Sequence, residues 1–173
     1  MKKIANEVTN NVAEQDNDKI ANCLFCKIVR GESPIHKIWE DEEHLAFLSI
    51  YPNTLGASVV IPKKHFDSYA FHMPDDELAK LTIKSAIVGR LLDASFDDVG
   101  RTAIIYEGFG INHVHAKLFP LHKTKGEWKP IHTDYNKYFD HYEGYVSSHE
   151  YHGPNPDLAK LAEHIREVGK KLR

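Results

Sequence analysis

Residues 113–119, HVHAKLF, constrain this chain more than any other stretch. Polar and apolar side chains alternate there with a period of two. In an extended strand that spacing sets His113, His115 and Lys117 on one face and Val114, Ala116 and Leu118 on the other. One face must meet a core, while the other carries two imidazoles and an ammonium side by side. Residues 57–61 (ASVVI) form an unbroken β-branched run, as in a central strand covered on both faces. Residues 36–40, 44–50 and 102–106 read as further short strands, the first two separated by the acidic turn at Asp41, Glu42 and Glu43. Leu24, Phe25, Ile28 and Val29 mark a short helix stopped by Gly31. Pro74 and the acids after it open a helix reaching about residue 93, with negative charge at its positive end. A last helix is expected over about 156–172, with Leu158, Leu161, Ala162, Ile165 and Val168 on one face. Short connections between clustered strands predict an α+β fold with an antiparallel sheet. Residues 1–20 read as a polar tail, and the Tyr- and His-rich stretch from 120 to 153 as a segment wrapping over the domain.

Composition narrows the function. The 173 residues are 42% hydrophobic, enough for one domain with a real core. A net charge of -3 argues against a general nucleic-acid binder. No run approaches the roughly 18 apolar residues of a membrane span. Lys2 and Lys3 precede no apolar segment, so no secretory signal is expected. Cys23 and Cys26, the two cysteines, stand too close together to staple a fold, which points to a reducing cytoplasm.

Three segments carry candidate chemistry. In the first, a neutral imidazole on the 113–117 strand is a competent nucleophile toward phosphorus. Gly108, Gly110 and Asn112 precede it in a turn whose N–H groups suit phosphate oxygens, and Lys117 adds a cation. These are ingredients of phosphoryl or nucleotidyl transfer. A half-exposed strand with polar residues outward is the plainer alternative. The second segment, Cys23-Leu24-Phe25-Cys26, suits tetrahedral zinc if two more ligands arrive from elsewhere; a redox pair or two small buried residues are the alternatives. In the third, Ile61-Pro62-Lys63-Lys64-His65, the lysines read as a solvated strand end and His65 is well placed to face inward.

Taken in order, these segments resemble the histidine triad (HIT) family of nucleotide hydrolases and transferases. The resemblance rests on Cys23 to Ile28, Gly31 to Pro34, Trp39 to Glu42, Ala46 to Leu48, Val60 to His65, and His113-x-His115-x-Lys117-x-x-Pro120. It covers 21 to about 122 as the domain core, leaving 123–173 as a C-terminal extension of one domain spanning 21–173. It implies a five-stranded antiparallel sheet, commonly in a homodimer. It also implies that His115 is the nucleophile attacking the α-phosphate of a nucleotide, with a nucleotidyl-histidine intermediate. Dinucleoside polyphosphates and nucleoside phosphoramidates are the candidate substrates. By the same resemblance, the nucleotide lies on a wall of Leu24, Phe25, Ile28, Phe47, Leu48 and Ile50, and a structural zinc is held by Cys23, Cys26, His65 and His113.

The sequence departs from the family pattern at three points. Lys117 stands where the third signature histidine is expected; it neutralises charge but is a poor proton donor at neutral pH, which favours polyphosphate leaving groups. Ser49 stands where a ribose-binding acid is expected. The loop before His113 is short, leaving Gly108, Gly110 and Asn112 to contact phosphate. These departures keep open a non-catalytic nucleotide-binding module with a structural zinc. A nucleic-acid end-processing role is a further alternative, since residues 113–137 hold five lysines and two acids, but the overall charge opposes it. His122 is an outside candidate for protonating the leaving group.

Overall fold

The ladder register explains how one short sequence can serve two chemistries. The computed structural model describes residues 20–131 and 157–172. The expected tail, apart from Ile20, and the stretch 132–156 lie outside the described residues. Strands β1 (Lys37–Glu40), β2 (His44–Leu48), β3 (Ser58–Pro62), β4 (Thr102–Ile105) and β5 (Ala116–Pro120) form an antiparallel sheet in the order β1-β2-β3-β5-β4. The helices are α1 (Leu24–Val29), α2 (Asp75–Ser95) and α3 (Leu158–Lys171).

Alternate residues of β2 and β3 build separate cores. Ala46, Leu48, Val60, Val114, Ala116 and Leu118 point to one side, where they meet Leu81, Val88 and Leu92 of α2 and Ala162 and Ile165 of α3. Leu45, Phe47 and Ile61 point to the other side and meet Phe25, Cys26 and Ile28 of α1. A fully buried aliphatic side chain contributes about 1.5–3 kcal/mol, so the larger cluster under α2 and α3 dominates cohesion. The expected fold class is what the structure shows.

Helix α1 ends at a Schellman turn. Gly31 adopts φ 77°, its N–H donates to Ile28 O at 2.9 Å, and Glu32 N–H donates to Lys27 O at 2.9 Å. That stop fixes a helix of under two turns with both cysteines at its start. The expected strand at 113 begins only at Ala116. Upstream the backbone leaves the ladder: Val114 N–H donates to Phe66 O at 3.0 Å rather than to a sheet neighbour. The alternation persists, because Val114 is buried in the α2 core while His113 and His115 both meet Phe25.

Candidate active site and metal centre

The sheet face under α1 gathers the candidate residues from three distant segments. Cys23 and Cys26 come from the first turn of α1, His65 from the loop after β3, and His113 from the approach to β5. Their ligand atoms all lie within 4.8 Å of one another. Cys23 Sγ is 3.5 Å from His113 Nδ1, Cys26 Sγ is 3.6 Å from the same atom, and Cys26 Sγ is 3.3 Å from His65 Nδ1. A tetrahedral zinc with ordinary Zn–S and Zn–N bonds places its sulfur and nitrogen ligands about 3.6 Å apart. The three sulfur–nitrogen distances are those of such an ion's ligands, and the donor set fits it. His113 supplies the outer support that metal-bound histidines require: Nε2–H donates to Pro62 O at 2.9 Å, which leaves the Nδ1 lone pair facing the two sulfurs. Burial holds His113 neutral, with its pKa lowered to about 4. Burial, with Cys23 alongside, pushes the Cys26 thiol up to about 11.

His115 is 4% exposed and sits edge-on to Phe25, ring centres 5.3 Å apart. Its Nδ1–H donates to the backbone carbonyl of His113 at 2.7 Å. That bond assigns the proton to Nδ1 and leaves Nε2 with a lone pair. Burial lowers the pKa of His115, so the ring is neutral near pH 7. Lys117, two residues on, forms an ion pair with Glu107.

The loop residues divide by role. Gly108 has φ 79°, and a Cβ there would lie 2.6 Å from Ser68 O, so only glycine fits. Asn112 braces the neighbouring loop: its Oδ1 accepts from Ser68 N–H at 2.9 Å and its Nδ2 donates to Asp67 at 3.1 Å. Gly110 has open space around it.

The apolar wall is narrower than the sequence reading implies. Phe25, Ile28 and Phe47 share the α1 face, while Leu24 and Ile50 are exposed. Leu48 follows Phe47 directly in an extended strand, so it points the opposite way, into the α2 core. Ser49 and Lys117 line one small cavity of about 210 Å³ together with Tyr51, Asn53 and Phe119. A larger groove of about 610 Å³ lies elsewhere, between β1, α2 and α3, and none of the candidate residues lines it. His122 has both ring nitrogens engaged, with Asp98 at 2.9 Å and Leu55 O at 2.9 Å, so it ties two loops together.

A HIT domain model matches residues 30–124 of this geometry's chain. The protein belongs to the HIT domain family. A HIT-like protein of Methanocaldococcus jannaschii is 41% identical over 113 residues, 61% of this chain and 83% of its own length. The adenosine 5'-monophosphoramidase HNT1 of Saccharomyces cerevisiae is 33% identical, over 68% of this chain and 76% of its own. The crystal structure of a Zn-bound histidine triad family protein from Mycobacterium smegmatis shares the fold, with TM-score 0.63 at 24% identity, covering 88% of this chain and 96% of that one.

Within this HIT fold, sequence reasoning overlooked one residue, Glu107. A signal for it exists. Ile105 pairs with Lys117, so an acid two residues beyond Ile105 shares the face of Lys117.

Proposed function

We propose that this HIT protein hydrolyses or transfers nucleotidyl groups, with His115 as the nucleophile. The reading is carried by the hydrogen bond from His115 Nδ1–H to His113 O, which leaves Nε2 as the free lone pair. Nε2 attacks the α-phosphorus, a nitrogen–phosphorus bond forms, and the bond to the leaving group breaks with its electron pair; a polyphosphate departs as its anion, and an amine departs neutral after taking up a proton from water. Water or another acceptor then attacks phosphorus and gives up its proton to solvent, and the nitrogen recovers its lone pair. Phe25, Ile28 and Phe47 offer the base and ribose an apolar wall, with Leu24 and Ile50 at its exposed margin. Ser49, Gly108, Gly110 and Asn112 border the phosphate and sugar. The candidate substrates are dinucleoside polyphosphates and nucleoside phosphoramidates; the activity named for the yeast relative belongs to the second class.

Cys23, Cys26, His65 and His113 would hold a structural zinc, for which the sulfur–nitrogen spacing and the orientation of His113 are suited. Bound there, zinc supplies a tetrahedral cross-link between α1, the β3–α2 loop and the approach to β5. A reducing cytoplasm keeps both thiols available as ligands. A homodimer fits the exposed Ile83 and Ile104, on α2 and on the edge strand β4. No helix among the described residues is long and apolar enough to cross a membrane.

A non-catalytic nucleotide-binding module is the second reading, favoured by Ser49 and by the ion-paired state of Lys117. One experiment separates the two. His115→Ala is expected to lower turnover at least about a hundredfold, since loss of a covalent catalyst is severe. Mass spectrometry of quenched wild type is expected to find a nucleotidyl adduct on His115. An adduct on another histidine, or wild-type turnover no faster than that of the variant, overturns the assignment.

A further inference from the structure

Lys117 is the cation nearest the proposed nucleophile in sequence and shares its strand face, yet it already has a counter-ion. Its ammonium pairs with the Glu107 carboxylate, whose side chain is 5% exposed; that of Lys117 is 17% exposed. So little solvent reaches the pair that salt screens it weakly. The placement follows from the sheet. Phe47, Val59, Lys117 and Ile105 stand in one row across β2, β3, β5 and β4. Two residues past Ile105, Glu107 returns to the same side, and the glycine-only turn at Gly108 fixes where the backbone goes next. Glu107 is thus held by the fold against Lys117.

Charge counting shows what this arrangement does. A neutral histidine at position 117 would add no charge to the site. A lysine alone would add one positive charge and bind phosphates more tightly the more anionic they are. Lysine with Glu107 again adds none. Any phosphate oxygen approaching Lys117 shares it with a carboxylate, and each further negative charge on the ligand meets repulsion from Glu107.

We propose that Glu107 is a specificity-determining residue that cancels the charge of Lys117 and so selects less anionic substrates, nucleoside phosphoramidates, over polyphosphate-bearing ones. This rests on the nucleotidyl-transfer reading above. The preference is opposite in sign to the one Lys117 alone implies. It also favours release of the nucleoside monophosphate, since the product is not clamped by an unopposed cation.

The test compares wild type, Glu107→Gln and the double variant Glu107→Gln/Lys117→Met. Adenosine 5'-monophosphate binding, measured by calorimetry, is expected to tighten about tenfold in Glu107→Gln, because a repulsive charge a few ångströms away is removed in a poorly screened site. It should return to near the wild-type value in the double variant, where the net charge is again zero. With adenosine phosphoramidate and diadenosine tetraphosphate as substrates, the ratio of kcat/KM values should move toward the tetraphosphate by about tenfold in Glu107→Gln. Thermal melts identify a variant that fails to fold, and Glu107→Asp, which keeps the charge, is expected to keep the wild-type ratio. Unchanged monophosphate affinity in folded Glu107→Gln overturns the proposal, as does tightening that persists without Lys117. Binding does not require turnover, so the calorimetry judges Glu107 even if His115 proves not to be a nucleophile.

Discussion

The two faces of the sheet are made by alternate residues of the same strands, yet they differ in almost every physical respect. Under α2 and α3 lie Leu48, Val60, Val114, Ala116 and Leu118, apolar and closely covered. Under α1 lie two thiols, three imidazoles and an ion pair, interleaved with Phe25 and Phe47. Cohesion is concentrated on the first face, which lets the second carry groups that cost stability when buried. The comparison teaches that damage to one face should leave the other's property standing.

Leu92→Ala attacks the cohesive face. Leu92 is fully buried, so the truncation is expected to cost about 2–5 kcal/mol of unfolding free energy. Denaturant titration measures the loss, and turnover per folded molecule should stay near wild type. A variant that melts normally but loses activity would break the division of labour.

Chelation attacks the chemical face. Zinc at about a hundredfold over its dissociation constant stabilises a folded protein by about 2.7 kcal/mol. Elemental analysis of chelator-free protein is expected to find close to one zinc per chain, and dialysis against a strong chelator should lower the melting temperature. Cys26→Ser should abolish both the metal content and the chelator's effect. Protein without zinc, or with unchanged content in Cys26→Ser, defeats the centre.

Acid is a gentler probe of the same division. Burial depresses the pKa values of His44, His113 and His115, with His113 near 4. His44 is 1% exposed and neither ring nitrogen has a hydrogen-bond partner among the described residues. Each imidazole is neutral in the fold, and in the unfolded chain it takes up a proton near its ordinary value of about 6.5. The unfolded state therefore binds more protons as pH falls. Stability is full above about 6.5 and declines below it, by about 1 kcal/mol for His113 between pH 7 and 5.5, with His44 and His115 acting in the same direction. Unfolding of metal-free protein across that range measures it. His44→Gln should flatten the slope.

Much of this was legible because β structure writes its two faces into the sequence with a period of two. The alternation at 113–118 correctly separates His113 and His115 from Val114, Ala116 and Leu118, although only Ala116 onward is regular strand. The same rule, applied to β2, separates Leu48 from Phe47; grouping them on one wall follows a motif rather than the geometry. The meeting of Cys23, Cys26, His65 and His113 was not readable from spacing, because it depends on where α1 crosses the sheet. Glu107 was obscured for another reason. Its partner lies on a neighbouring strand, and register between strands is set by turns and packing that no single segment displays.

One bond described above separates what two neighbouring histidines contribute. The acceptor that aims the His115 ring is the main-chain oxygen of residue 113, not any part of its side chain. Substitution at 113 can delete an imidazole, but every amino acid brings the same oxygen. A substitution at 113 would therefore remove one candidate metal ligand and leave in place the acceptor that fixes the proton on His115. The reverse trade is closed, because a change at 115 removes the ring itself.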